Sequence, residues 1–393
     1  MKNAHPCTLA ARRSAAGFSL VELLVAVVIG MALTLAITGM LVRSEADRRT
    51  TTSVNDTSQN AAFLAYTLDR TIRSAGSGYA QAWRQAFGCR LLASRSSAQV
   101  LPRTSAFPAP FAGVPQNVRL APLVIHAGAG AGGSDVLAIH TGASGLGENP
   151  MRVLPGSVTG TLLRVPSTVG LLAGDLVLVL QDSNNCMLQQ VAAGFAGGPT
   201  QAVNFGGLYA SSTINSIDLS SLGVAAPALL APLGNVAGNQ PSLQLVGIGD
   251  NDVLSSFDIL RLNGSDAATP IADGVVELRA LYGIDSILPY DGRIDTWVSP
   301  SAAPWDAATL LDGSVTSRDN LSRILAVRIG VVLRGNLRER NEVSRNAITL
   351  FGDLGPALQL TRLAPAAGVE RELRYETLEI TVPLRNVMLK PAA

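Results

Sequence analysis

Residues 18–42 read FSLVELLVAVVIGMALTLAITGMLV, and Glu22 is the only ionisable side chain in this run. A helix needs about 20 apolar residues to cross the hydrocarbon core of a bilayer, so the run is long enough to span a membrane. Lys2, Arg12 and Arg13 precede it, which predicts a cytoplasmic N-terminus by the positive-inside rule. The bulk of the chain should then lie on the other side of the membrane.

A secretory signal peptide is the alternative reading of this N-terminus. The apolar core of such a peptide usually holds about 7–15 residues and is followed by a small-residue cleavage site. Here the run is longer, and Arg43 and Ser44 follow it directly. An acid inside a membrane helix costs roughly 2.5–3.5 kcal/mol on insertion scales, so Glu22 needs a partner. Cleavage between Gly17 and Phe18 would create an α-amine about one helical turn from Glu22. In a filament, the amine of one subunit can pair with Glu22 of its neighbour.

The six residues from Gly17 to Glu22, GFSLVE, resemble the class III signal of type IV prepilins and type II secretion pseudopilins. The resemblance implies that a prepilin peptidase cleaves after Gly17 on the cytoplasmic face and methylates the new N-terminal Phe18. It also implies that the apolar segment stays in the mature protein as the filament-core helix, with Glu22 setting the assembly register.

The helix is expected to continue beyond the membrane. Apolar residues recur there at spacings of four, three and four, on one face of a helix: Ala61, Ala65, Leu68 and Ile72. A helix from residue 18 to about 75 would be ~85 Å long. A break in the polar stretch between residues 50 and 60 is the alternative.

Beyond residue 80 the sequence is typical of strands separated by long loops, with 38 glycines and 21 prolines in the whole chain. Short apolar runs bounded by turn residues predict four strands: Asp135–Ile139, Asp175–Gln181, Phe257–Leu262 and Val275–Tyr282. Ile324–Arg334 and residues 378–384 alternate apolar with polar side chains and predict two more. Pro383 cannot donate to a ladder, so the last strand should lie at a sheet edge or end there.

These patterns predict an α+β fold, and the resemblance to prepilins implies that it is type IV pilin-like, with a long N-terminal membrane and filament helix packed on a β-rich periplasmic body. The predicted organisation has four parts: a leader peptide at 1–17, the transmembrane and filament-core helix at 18–42, its amphipathic continuation at 43–75, and the globular pilin body at 76–393.

Several phrases of the body resemble the PilW family of type IV minor pilins. They are residues 68–76 (LDRTIRSAG), 88–89 (GC), 135–137 (DVL), 273–278 (DGVVEL), 282–285 (YGID), 327–329 (VRI), 333–334 (LR) and 384–386 (LRN). Their order and spacing fit along most of the chain, except for an expanded stretch from about 195 to 255.

The PilW resemblance implies a minor pilin that helps to prime pilus assembly at the inner membrane and ends near the filament tip. It implies a single membrane pass, a periplasmic body and later a place in the surface pilus. The implied partners are the prepilin peptidase, other minor and major pilins and the inner-membrane assembly platform, with a tip adhesin as a further candidate. A minor pseudopilin of a type II secretion system is the main alternative, because it shares the N-terminal signal.

Three cysteines are too few for a disulfide scaffold. Cys7 lies in the leader, so processing leaves Cys89 and Cys186 as a pair that suits an oxidising compartment. We expect a disulfide between them, and two buried free thiols are the alternative.

No cluster with the spacing of a catalytic site is evident, so we expect neither an enzyme nor a cofactor; a tethered periplasmic enzyme is the least favoured reading. His126 and His140 flank a glycine-rich loop, where they could face each other across a hairpin, but no further ligand completes a metal site. Asp285, Asp291 and Asp295 form an acidic turn that is a weak candidate for Ca²⁺. The net charge of +1 gives no indication of nucleic-acid binding.

Overall fold

The computed structural model describes residues 17, 19–143, 149–181, 185–197, 202–224, 226–262, 267–339, 342–363 and 368–390. The chain divides into two compact units, Met1–Thr52 and Ser53–Ala393, and each is described by itself.

The N-terminal helix α1 runs without interruption over Leu20–Arg73. The predicted alternative of a break between residues 50 and 60 is wrong. Thr51 and Thr57 are accommodated there because their hydroxyls donate to the carbonyls of Asp47 and Ser53, at 2.9 and 2.8 Å. Threonine can use this back-bond inside a helix, so a polar stretch need not end one.

Four short helices follow: α2 (Trp83–Ala86), α3 (Ala307–Leu310), α4 (Val315–Ser322) and α5 (Arg385–Met388). The strands are β1 (Arg90–Arg95), β2 (Ala98–Leu101), β3 (Leu123–His126), β4 (Val136–Thr141), β5 (Met151–Arg152), β6 (Leu162–Arg164), β7 (Asp175–Leu180), β8 (Asn185–Gln190), β9 (Ala202–Asn204), β10 (Thr213–Ile214), β11 (Ile217–Asp218), β12 (Leu229–Asn235), β13 (Ser242–Ile248), β14 (Leu254–Asp258), β15 (Thr269–Ala272), β16 (Val275–Ile284), β17 (Thr296–Val298), β18 (Ile324–Arg334), β19 (Ala347–Leu350), β20 (Leu360–Leu363) and β21 (Tyr375–Pro383).

Three larger sheets build the β-rich body. Their strand orders are β2-β1-β8-β7-β12-β5, β15-β14-β13-β4-β3 and β17-β16-β18-β21. Strands β1 and β8 are parallel, and the other pairs in these sheets are antiparallel. A long apolar helix followed by this body is a mixed α+β, pilin-like architecture, as the sequence predicts.

The second half of α1 contributes Leu64, Leu68 and Ile72 to the main core, where each is at most 2% exposed. The predicted stripe is therefore wrong in one member, because Leu64 rather than Ala65 joins the core cluster. The core also takes Val327 and Ile329 from one face of β18.

The helix and the end of β18 approach closely at Gly335. A Cβ added to Gly335 would lie 2.7 Å from the hydroxyl oxygen of Ser53, which is closer than real side chains pack. Glycine at this position thus permits the helix to lie against the sheet.

A hairpin made by β19 and β20 covers the opposite face of β18. Phe351 and Leu350 pack there against Val332 in a separate buried cluster. The alternation of β18 predicts one polar, exposed face, but this hairpin covers most of it. Of the residues in β18, only Arg328 and Arg334 keep intermediate exposure.

The predicted strands match the structure except near residue 257. β14 covers Leu254–Asp258, whereas the predicted strand was Phe257–Leu262. The chain turns after Asp258, because its carboxylate accepts the N–H of Leu260 at 2.9 Å and its carbonyl accepts the N–H of Arg261 at 3.2 Å. The last strand, β21, lies at a sheet edge and ends at Pro383, as predicted.

Candidate assembly signal and disulfide

The N-terminal signal lies at the start of α1. Ser19 precedes the helix, and its hydroxyl oxygen accepts the N–H of Glu22 at 3.2 Å. This is one half of a capping box, the Ser-x-x-Glu pattern that begins many helices. The pattern is visible in the sequence, although the sequence analysis assigned Glu22 only an assembly role. Gly17 is exposed, and a Cβ added to it would meet no atom within 4 Å. Phe18 lies outside the described residues.

The apolar first part of α1 is exposed along its length. Its most apolar 18-residue window has a mean hydropathy of 2.6 and none of it is buried, so it is long and apolar enough to cross a membrane. Leu20 is 80% exposed, and the large apolar side chains after it are exposed as well. An apolar surface of this extent requires a lipid or protein environment. The run from residue 19 to 42 contains no lysine or arginine that could pair with Glu22.

Cys89 and Cys186 form a disulfide, with their Cα atoms 5.8 Å apart. The pairing of β1 with β8 brings them together, because Leu91 lies opposite Cys186 in the parallel register. Both cysteines are buried, at 2% and 0% exposure. The bond joins the segment that follows α1 and α2 to a central strand of the six-stranded sheet.

Asp135 is a structural link between two sheets. Asp135 is 3% exposed, and its carboxylate accepts the N–H groups of Gly128 and Ala280, each at 2.9 Å. Arg279 lies 3.5 Å from the same carboxylate. Burial raises the pKa of Asp135, and the backbone donors and Arg279 oppose that rise. Since Ala280 belongs to β16, this side chain connects the five-stranded sheet to the four-stranded sheet.

His126 and His140 are both buried on the β3–β4 hairpin, but they do not face each other across it. The register pairs His126 with Val136, and His140 lies beyond the other end of the ladder. Burial lowers the pKa of each to about 4. Among the residues that the structure describes, no group of three or more His, Cys, Asp or Glu could hold a metal ion.

The three carboxylates of the acidic turn each bind backbone N–H groups. Asp285 accepts from Gly292 at 2.8 Å, and Asp291 accepts from Arg293 at 3.0 Å. Asp295 accepts from two successive N–H groups, those of Ser286 and Ile287, at 2.6 and 2.8 Å. These donors lower the pKa of Asp295 below its usual value. The sequence shows these acidic residues, but their role in holding the loop is visible only in the structure.

Comparison with known families agrees with this architecture. Residues 12–38 match the model described as Prokaryotic N-terminal methylation motif, and residues 233–386 match the model described as PilW, Type IV Pilus-assembly protein W. The chain matches a PilW-family pilin with a prepilin signal. No curated protein and no solved structure matches.

The two matched regions correspond to elements of the structure described above. The methylation motif contains Gly17, Glu22 and most of the apolar part of α1, up to residue 38. The PilW match extends from β12 to α5 and includes the whole four-stranded sheet. These matches support a minor pilin related to type IV pili. The prepilin motif implies processing by a peptidase and association with other pilins, and together with the apolar helix it suggests membrane anchoring. Pilin domains indicate a structural protein.

Proposed function

We propose that this minor pilin is cleaved between Gly17 and Phe18, is methylated on Phe18, and helps to initiate type IV pilus assembly from the inner membrane. Its body lies in the periplasm before the subunit enters the filament near the tip. The observation that carries this proposal is the exposed apolar first part of α1, which begins three residues after Gly17 and holds one carboxylate, Glu22.

The physical case rests on the two environments that α1 can occupy. In the bilayer the apolar side chains are solvated by lipid, and Glu22 is costly. In a filament the same side chains pack against neighbouring helices, and the carboxylate can meet the new α-amine of an adjacent subunit. Pairing removes much of the penalty of a buried charge, so it favours one axial register between subunits.

We also propose that the N-terminus is cytoplasmic and the body periplasmic, and two observations support this topology. Lys2, Arg12 and Arg13 precede the apolar run, which favours a cytoplasmic leader. The disulfide between Cys89 and Cys186 suits an oxidising compartment.

The test has three readouts on cells that express the full chain. The mature protein should begin with N-methylated Phe18 by N-terminal sequencing and mass spectrometry. Sheared filaments should contain the subunit at low stoichiometry, together with other pilins. Deletion should reduce the number of filaments while the major pilin still accumulates in the membrane. Wild-type filament numbers combined with a secretion defect would instead support the pseudopilin alternative.

A further inference from the structure

The hairpin made by β19 and β20 forms a small sheet of its own. Its two strands pair with each other, from Ala347 opposite Leu363 to Leu350 opposite Leu360. Among the residues that the structure describes, no backbone-to-backbone hydrogen bond joins residues 347–363 to the four-stranded sheet beneath them. A two-stranded hairpin alone is marginally stable in water, so this one depends on side-chain contacts with the sheet.

The apolar contact between the hairpin and the sheet is a separate cluster. It contains three hairpin side chains and three sheet side chains, each at most 8% exposed: Ile348, Leu350, Phe351, Val276, Leu281 and Val332. None of the six belongs to the main core cluster. The contact can therefore be lost without exposing the main core, which is the condition for local opening.

Phe351 fits into a notch at Gly330 of β18. A Cβ added to Gly330 would lie 3.0 Å from Cζ of Phe351, so the missing side chain makes room for the ring. Phe351 has a φ of +59°, in the left-handed region that a bulky residue rarely adopts. Such a backbone is strained and persists only while its surroundings hold it. Opening of the hairpin would release this strain.

Arg328 of β18 holds the hairpin by an ionic clasp. Its guanidinium donates to both oxygens of the Asp353 carboxylate, at 2.8 and 2.6 Å, and to one oxygen of Glu379 in β21 at 2.7 Å. The other oxygen of Glu379 accepts the N–H of Phe351 at 2.8 Å, so the same carboxylate also holds the strained backbone. The Asp353 side chain is 63% exposed, which leaves the clasp open to water and salt.

A second ion pair joins the other strand of the hairpin to the sheet. Arg362 of β20 lies 3.3 Å from Glu277 of β16, and the Arg362 side chain is 42% exposed. Exposed ion pairs contribute little to stability and are screened by salt. Both ionic attachments of the hairpin can therefore break at a small cost in free energy.

We propose that residues 347–363 form a lid that opens and closes as a unit over the outer face of the four-stranded sheet, with the Arg328 clasp as its ionic latch. Opening breaks the two ion pairs and the separate apolar contact, and it leaves the main core intact. It uncovers an apolar strip of the sheet that the closed lid hides from water, formed by Val276, Leu281 and Val332. The inference concerns the body alone and does not depend on the proposed function.

Hydrogen exchange followed by mass spectrometry measures the opening in the full chain in mild detergent. We expect the most protected amides of β19 and β20 to exchange at least about tenfold faster than those of β16 and β18. Low concentrations of urea should accelerate exchange in β16 and β18 more than in the lid, because global unfolding exposes more surface than lid opening does. One common rate in all four strands, with one urea dependence, would overturn the proposal.

Salt and a charge-removing variant test the latch. Raising the salt concentration from about 0.05 to about 0.5 M should accelerate exchange in the wild-type lid, because salt screens the clasp. Arg328→Met keeps the aliphatic part of the side chain and should accelerate lid exchange at least about fivefold, with a weaker response to salt. Arg293→Met is the control, since Arg293 is 84% exposed beside a different strand end, and it should change neither quantity. Lid exchange that does not respond to salt in the wild type contradicts the latch.

The notch gives a test that changes no charge. Gly330→Ala places a methyl group 3.0 Å from the Phe351 ring and should push the lid open, which would accelerate exchange in β19 and β20. Gly355→Ala is the matched control within the lid, because a Cβ there would meet no atom within 4 Å. Equal lid exchange in the two variants would refute the closing role of the notch and with it the lid.

Discussion

Replacement of the buried carboxylate of Asp135 tests whether the five-stranded and four-stranded sheets are joined by this side chain. Asp135→Ala removes the hydrogen-bond acceptor of the Ala280 N–H. Ala280 is 2% exposed, so this N–H cannot bind water instead. An unsatisfied buried donor costs about 1–3 kcal/mol. The N–H of Gly128 is exposed and can bind water instead. The lost contact with Arg279 adds to the cost, so we expect a total destabilisation of about 2–4 kcal/mol.

Two matched variants make the Asp135 experiment specific. Asp135→Asn keeps one oxygen for Ala280 and should cost only about half as much. Asp353→Ala also removes an ion-paired carboxylate, but this one is 63% exposed, so the expected loss is under about 1 kcal/mol. The measurement is urea unfolding of the mature protein in mild detergent, followed by the fluorescence of its three tryptophans. If Asp135→Ala and Asp353→Ala unfold at the same urea concentration, the Asp135 side chain contributes nothing beyond the backbone bond from its N–H to the carbonyl of Leu278, which both variants keep.

Four further outcomes are expected. Gly17→Val should leave the full-length precursor in the membrane, which blotting would show. The fold has room for a side chain at this position, so we expect only the peptidase to require glycine. Normal processing would contradict this. Glu22→Ala should insert normally yet fall several-fold in sheared filaments relative to the membrane pool, and an unchanged ratio would remove the register argument. Cys186→Ala should lower the free energy of unfolding in urea by about 2–4 kcal/mol; the chain-entropy estimate for a 97-residue separation is at most ~4.7 kcal/mol. Two labelled thiols in the unreduced mature protein would refute the bond. His126 and His140 titrate near 4 when folded and near 6.5 when unfolded. The unfolded state therefore binds more protons between these values, and stability should fall as pH drops from 6.5 towards 4, by on the order of 3 kcal/mol per histidine. His126→Gln should remove about half of that pH dependence.

Local sequence patterns predicted the helices and strands that hydrophobic periodicity determines, and missed the features that depend on side-chain bonds or tertiary packing. Ile324–Arg334 forms a strand with the predicted bounds, because apolar residues at every second position, from Val327 to Leu333, place one side of the strand in the core. Phe257–Leu262 was misplaced, because Asp258 turns the backbone with its own carboxylate and no periodicity records that bond. On α1, Ala65 and Leu64 are neighbours on the helix, and only the body decides which one is buried.

The candidate site also has one part that the sequence predicts and other parts that only the folded structure shows. The signal from Gly17 to Glu22 is contiguous, so its spacing could be read directly from the sequence. The pairing of Cys89 with Cys186 was predicted because processing leaves no other choice, but their proximity depends on the parallel pairing of β1 with β8. The role of Asp295 was missed, since a carboxylate that binds its own loop and one that awaits a cation have the same sequence.

The position of the disulfide determines how a pulled subunit would transmit force. In the proposed filament, tension would load the chain from its N-terminal helix, and the load would reach Cys89 before the first strand of the body. From there it passes through the sulfur atoms directly to Cys186. The chain between the two cysteines, which contains β1 to β7, lies on a closed branch that cannot be extended end to end. More than a fifth of this protein is thus mechanically bypassed, and the covalent path delivers the load to a strand with neighbours on both sides.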